Sequence, residues 1–241
     1  MRRAFRFYFM NILLGIVIVA IIAVVGIYMF CSIHKVKVVG STIYTDEEIK
    51  QQVLDGKYPN NTVYEVIHNK VKPKKNIPFV ESVQVKLTSY DKLQIKVQEK
   101  QCVGYIPMEK GGYAYFDENG KVVETSERLL ENSIGVTGIT LKKAKVGEKV
   151  DLKKEQLELM VQLLKALNKY EMKISALSFD SMGNATVSYE NMQISVGTSK
   201  YLEDKMMRLP HILPQLEGQA GTLHLENWSK DNTDIVFEKA K

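Results

Sequence analysis

Hydrophobic positions fall into three patterns along the chain, and the first is an unbroken block. Met10 to Phe30 reads MNILLGIVIVAIIAVVGIYMF, without a charged side chain. At ~1.5 Å per residue such a helix is roughly 31 Å long, close to the ~30 Å hydrocarbon core of a bilayer. A buried core helix keeps a polar face and rarely runs past ~14 residues without a charge. The block therefore predicts a transmembrane helix over residues 10–32, with Met10 and Phe30 as the ends of the anchor.

The second pattern is alternation mixed with short helical periods, over residues 33–100. Val36 and Val38 alternate with Lys35 and Lys37, which predicts a strand with one buried face. Thr45-Asp46-Glu47-Glu48 combines a hydroxyl cap with a Thr-x-x-Glu capping box and opens a short helix ending near Asp55-Gly56. Asn61-Thr62 opens a second helix, in which Val63, Val66, Ile67 and Val71 fall at helical spacing and which Pro73 ends. Val83, Val85 and Leu87, then Leu93, Ile95 and Val97, alternate with polar residues on either side of Ser89-Tyr90-Asp91, which predicts a hairpin. The order is β-α-α-β-β, with both helices expected on one face of the sheet.

The third pattern, over residues 101–238, is a larger mixed β domain with two amphipathic helices. Tyr113–Phe116 and Lys121–Val123 flank Asp117-Glu118-Asn119-Gly120, whose Asn-Gly predicts a hairpin turn with positive backbone angles. Leu157, Met160, Val161, Leu164 and Leu167 form a stripe between Leu152 and Asn168. Strands are expected at Ile174–Phe179, Ala185–Tyr189 and Met192–Val196. A second amphipathic helix starts near Lys200, with Leu202, Met206, Leu209, Ile212, Leu213 and Leu216 inward, and Pro210 bending it. Thr222–Glu226 and Asp234–Phe237 read as a terminal hairpin, and residues 239–241 as a short tail. The fold class is α+β.

The flanks of the apolar block orient it. Residues 1–9 carry Arg2, Arg3 and Arg6 and no acidic residue, and short basic flanks stay cytoplasmic. The expectation is a cytoplasmic tail at 1–9 and an extracytoplasmic domain beyond the helix. A cleaved signal peptide would have an apolar region of ~7–15 residues followed by small residues, whereas this run ends in Tyr28-Met29-Phe30-Cys31. Cys31 and Cys102 do not make a disulfide framework, so stability is expected from the core. The net charge of +5 is modest and spread, which suits an anionic surface and gives little support for nucleic acid.

No catalytic centre emerges, and no metal or cofactor site is predicted. The four histidines, His34, His68, His211 and His224, lack metal-ligand spacing, and neither cysteine neighbours one. A phosphate loop, a dinucleotide glycine pattern and His-Glu-x-x-His are absent. Ser181-Met182 superficially resembles a serine nucleophile segment, but no glycine elbow frames it, and a polar turn between strands is the better reading. Surfaces remain. A sheet whose last strand is Ile235-Val236-Phe237 leaves an edge with unpaired backbone groups, open to strand addition or blunted by the adjacent lysines.

The order of pieces resembles the FtsQ/DivIB cell-division family. Val36-Lys-Val-Val-Gly40 with Thr45-Asp-Glu-Glu-Ile49 looks like the start of its polypeptide-transport-associated (POTRA) domain. Ile77-Pro-Phe-Val-Glu-Ser-Val-Gln-Val-Lys86 and Leu93-Gln-Ile-Lys-Val-Gln-Glu99 are similar to that domain's closing hairpin, which makes 33–100 POTRA-like. Tyr115-Phe-Asp-Glu-Asn-Gly120, Val136-Thr-Gly138 and Val196-Gly197 fit the family's β domain. The resemblance implies a non-catalytic divisome scaffold at the septal membrane. Its implied partners are single-pass proteins of the FtsL/DivIC/FtsB type, and it would help control septal peptidoglycan synthases. It implies partner strand addition at Thr233, Asp234, Ile235, Val236 and Phe237, with Tyr201, Lys205 and Arg208 as nearby contacts, and it predicts that a proline at Val236 removes an edge donor. The other readings are a POTRA-bearing secretion or envelope-assembly component and an anchored cell-wall enzyme.

Overall fold

The computed structural model describes residues 2–74, 76–130, 133–172 and 174–240, with the backbone alone at 2–9. Met1, Lys241 and the Arg2, Arg3 and Arg6 side chains of the expected tails lie outside the described residues. The fold is mixed α+β, and contacts divide it into two units between Lys100 and Gln101.

The first unit begins with α1 (Arg2–Phe30), whose Met10–Phe30 stretch has mean hydropathy 3.0 and is not buried against anything described. A helix apolar on every side and long enough to cross a bilayer fits a single-pass membrane protein. It leads through residues 31–34 into β1 (Lys35–Val39), followed by α2 (Asp46–Val53), α3 (Thr62–Val71), β2 (Val80–Ser89) and β3 (Lys92–Glu99). β3 is central: β1 pairs with it in parallel, Lys35 opposite Lys92, and β2 pairs antiparallel across the Tyr90-Asp91 turn. Thr45 caps α2 with the complete capping box, its hydroxyl accepting from the Glu48 N–H while Glu48 accepts from the Thr45 N–H at 2.8 Å. The core gathers Ile49 and Val53 of α2 against Val80, Ile95 and Val97.

α3 corrects its predicted face. Its buried residues are Thr62, Glu65 and Asn69, while Ile67 and Val71 are exposed. The reason is that α3 meets backbone carbonyls rather than apolar side chains. Thr62 Oγ1 donates to Tyr90 O at 2.6 Å, and Asn69 Nδ2 donates to Glu65 Oε2 at 3.1 Å and lies 3.4 Å from Val53 O. Burial pushes the Glu65 carboxyl above its ordinary range, and hydrogen bonds from Gly56 and Asn69 offset only part of that.

The second unit carries β4 (Gly104–Pro107), β5 (Tyr113–Phe116), β6 (Val122–Ser126), β7 (Ile134–Thr137), α4 (Lys154–Lys169), β8 (Ala176–Phe179), β9 (Ala185–Tyr189), β10 (Met192–Gly197), α5 (Leu202–Ile212), a 3-10 turn (Leu213–Leu216), β11 (Gly221–His224) and β12 (Val236–Lys239). These strands form one sheet in the order β12-β11-β10-β9-β8-β7-β4-β5-β6. Alternate residues, among them Leu177, Val187, Ile194 and Leu223, join Met160, Leu163, Met206 and Leu209 of the two helices in one core. Their neighbours Ser178, Thr186, Ser195 and His224 are only partly buried, the pattern of a sheet with one covered and one wetter face.

The β5–β6 turn differs from its prediction. Gly120 alone takes a positive φ, +73°. The turn closes by Gly120 N–H to Asp117 O at 3.0 Å, and Asp117 Oδ1 accepts from the Asn119 and Lys121 amides at 2.9 Å each. The aspartate side chain does the work expected of a second left-handed residue. At this edge the segment after β7 folds back on β6. Val122 N–H donates to Glu148 O and Gly147 N–H to Val122 O, both at 2.8 Å, and Val150 N–H donates to Gly120 O at 2.9 Å.

Candidate functional site

The opposite end of the sheet is built by β11, the loop to β12, and α5. β12 pairs antiparallel with β11, Val236 opposite His224 and Lys239 opposite Gly221, and among the described residues no strand lies on its outer side. The strand begins later than its prediction. Thr233, Asp234 and Ile235 lie in the approaching loop, where the Asp234 N–H donates to Asn232 Oδ1 at 3.3 Å; Val236 and Phe237 are in the strand, which runs on through Lys239. The tail expected at 239–241 therefore starts inside a strand.

Antiparallel neighbours alternate between pairs that exchange hydrogen bonds and pairs that do not. Ala240 N–H donates to Ala220 O at 2.9 Å, so the exchanging pairs continue at Glu238/Thr222 and Val236/His224. The N–H and C=O groups of Phe237 and Lys239 consequently point out of the sheet. This corrects the test predicted at Val236: a proline there removes a donor aimed at β11, not one at the free edge. Val236 itself is 58% exposed, while Phe237 packs against the core.

Behind the loop stand the three helix residues singled out in the sequence, and the structure separates their roles. Tyr201 precedes α5 in a left-handed conformation (φ +57°) and meets Trp228 edge-on, ring centroids 5.8 Å apart. The Arg208 guanidinium lies 4.6 Å from the centre of the same indole. Trp228, 4% exposed, is thus the residue that brings Tyr201 and Arg208 together. It is the chain's single tryptophan, a signal that its place between two predicted strands obscured.

Lys205 is corrected as a surface contact. It is 2% exposed, and its ammonium donates to Val196 O at 2.9 Å beneath the sheet end. Burial pushes its pKa down, against the opposing pull of Glu226. Its position was legible: Leu202, Lys205, Met206 and Leu209 follow helical spacing and share one face.

In the turn after β11, Glu226 ties the edge together. His224 Nδ1 lies 2.7 Å from Glu226 Oε1, and His224 Nε2 lies 3.6 Å from Glu238 Oε2 of β12. The bond to Glu226 raises the imidazole pKa, burial opposes this, and Glu238 adds to the rise. Burial acts to raise the Glu226 carboxyl, yet hydrogen bonds from His224, its own backbone and Ser195 together hold it below its ordinary range. Among the described residues no three His, Cys, Asp or Glu side chains gather as a metal set. The arrangement offers outward backbone groups on a strand with an apolar exposed residue, flanked by a caged indole.

A sequence model described as the C-terminal region of cell division protein FtsQ/DivIB matches residues 104–230. The chain is 28% identical over 187 residues to cell division protein DivIB of Clostridium tetani, covering 75% of this chain and 69% of that one. It is 26% identical over 140 residues to cell division protein DivIB of Clostridium acetobutylicum, covering 56% and 55% respectively.

Proposed function

Because the chain belongs to the FtsQ/DivIB family of cell-division proteins, we propose that it is a non-catalytic, single-pass scaffold of the divisome that captures a partner by strand addition at β12. The observation that carries this reading is the outward-facing backbone of Phe237 and Lys239 on a strand with one neighbour among the described residues. The partner class is the FtsL/DivIC/FtsB type of small single-pass division protein, and the consequence of its capture is control of septal peptidoglycan synthesis. Tyr201 and Arg208, held on Trp228, border the incoming strand; Lys205 holds the site from below. α1 is the membrane anchor, with residues 1–9 cytoplasmic, 33–100 a POTRA-like domain and 101–238 a β domain outside the membrane at the septum.

The test uses the full chain in nanodiscs titrated with a full-length partner of that class. Lys239→Pro removes an outward donor at an exposed position and is expected to lower affinity at least tenfold, about 1.4 kcal/mol, without changing the melting temperature. Unchanged affinity in the folded variant overturns the interface. A fluorescent fusion of the full chain that fails to enrich at midcell overturns the divisome reading.

A further inference from the structure

The junction between α1 and the rest of the first unit is a continuous hydrogen-bonded seam. Asn61 acts on both sides of it: its Oδ1 accepts from the Tyr64 N–H and starts α3, while its Nδ2 donates to Ile27 O in the last turn of α1 at 3.0 Å. Thr62 N–H donates to Cys31 O at 2.8 Å, Ile33 N–H to Asn60 O at 2.8 Å, and His34 N–H to Asp91 O at 2.9 Å. Asn61 and Thr62 are buried in this seam. The carbonyl-rich end of one helix is thus met by the donor-rich start of another, a favourable pairing of helix ends.

The seam fixes a level. Residues bonded to Ile27 O and Cys31 O lie at the depth where the apolar run ends, which is the headgroup region of a bilayer whose core matches that run. At that level the unit presents two turns, 57–60 and 90–91. Their tips hold Tyr58, 46% exposed, and Tyr90, 65% exposed, beside Tyr28 of α1, 69% exposed. Tyr28 and Tyr58 meet edge-on with centroids 6.5 Å apart. Lys57 lies over the Tyr58 ring at 5.5 Å, and Lys35 and Lys92 are exposed opposite one another at the starts of β1 and β3. Acidic side chains here include Asp91 in the second turn, Asp55, paired to Lys74, and Glu65, buried beside Gly56. Exposed tyrosines with lysines around them are the composition of a membrane interface, because the ring suits the boundary and the ammonium reaches phosphate.

We propose that this end of the first unit is a phospholipid-binding surface, with Tyr28, Tyr58 and Tyr90 seated among headgroups and Lys35, Lys57 and Lys92 pairing with anionic lipid phosphates. It rests on the reading that α1 crosses the membrane. Continuity with the span selects the occupant: the seam holds this surface where lipid already is.

The experiment places one nitroxide at a time on a full chain carrying Cys31→Ser and Cys102→Ser, in nanodiscs of phosphatidylcholine with a varied fraction of phosphatidylglycerol. The labelled positions are Ile18→Cys in the span, Pro59→Cys in the first turn, and Glu47→Cys at the start of α2. Collision with oxygen against collision with a water-soluble nickel chelate reads depth. The expected ratio is highest at 18, several-fold above the water value at 59, and water-like at 47. The value at 59 rises with phosphatidylglycerol, and Lys57→Glu with Lys92→Glu abolishes that rise. A water-like value at 59 with a buried value at 18 overturns this surface alone. A water-like value at 18 overturns the membrane span and this surface with it. An interfacial value at 59 that ignores lipid charge overturns the lysine–phosphate pairing.

Discussion

At one end of the nine-stranded sheet the segment Gly147–Val150 bonds to the outer side of β6; at the other end β12 has, among the described residues, β11 alone as a neighbour. Both are short edge strands in one domain, so openness is not a default of the fold. β6 is occupied at Val122 and continues with the polar run Glu124-Thr125-Ser126, whereas β12 offers Val236 and Phe237 with outward backbone groups at 237 and 239. Edges left uncovered invite another chain. Strand addition at β12, as proposed, requires this difference between the two edges.

The closed edge can be opened. Gly147→Pro removes the donor to Val122 at a residue with φ +95°, which proline cannot adopt. The expected cost is about 3 kcal/mol in chemical denaturation, with concentration-dependent self-association by light scattering as β6 becomes exposed. A monomeric variant of full stability would mean the cover does not matter. Next in size, Lys205→Met keeps the volume but strips the donor from Val196 O; a loss of about 2 kcal/mol is expected, read by thermal melting. The open edge can also be guarded. Val236→Lys puts a charge on its exposed apolar residue and should weaken partner binding by about 1 kcal/mol in titration, with no change in melting.

The smallest effect is pH dependence at β12. The folded His224 pKa is raised, so the protonated ring is favoured by the fold. Its contribution is full below the ordinary value near ~6.5 and is lost as pH rises through the raised one. Solvent screening limits it to about 0.5 kcal/mol. Melting in steps upward from pH 6 should show a slight decline that His224→Gln removes; an identical slope in the variant would assign the decline elsewhere.

Much of the fold was legible in the sequence, and the exceptions share a cause. The capping box gave α2, and helical and alternating periods gave α4, α5 and the β2–β3 and β9–β10 hairpins because apolar side chains meet apolar side chains there. β4 and β7 escaped prediction because Gly104-Tyr105-Ile106-Pro107 and Ile134-Gly135-Val136-Thr137 lack a clean alternation of apolar and polar residues. α3 turned an unexpected face because Thr62 and Asn69 found carbonyls that only the fold assembles. At the candidate site, the strand edge was legible from Ile235-Val236-Phe237. Which backbone groups face outward depends on the register with β11, and the partner of the buried Lys205, Val196 O, is likewise a product of pairing at a distance.

The strand order of the first unit also decides how it bears load. Consider tension applied between Lys35, the start of β1, and Glu99, the end of β3. These strands run parallel and side by side, paired from Lys35–Lys92 to Val39–Lys96. Pulling one by its beginning and the other by its end slides them past each other, so the rungs between them are strained together instead of peeling singly. Force applied across Lys35 and Glu99 therefore meets a shear clamp, not a zipper.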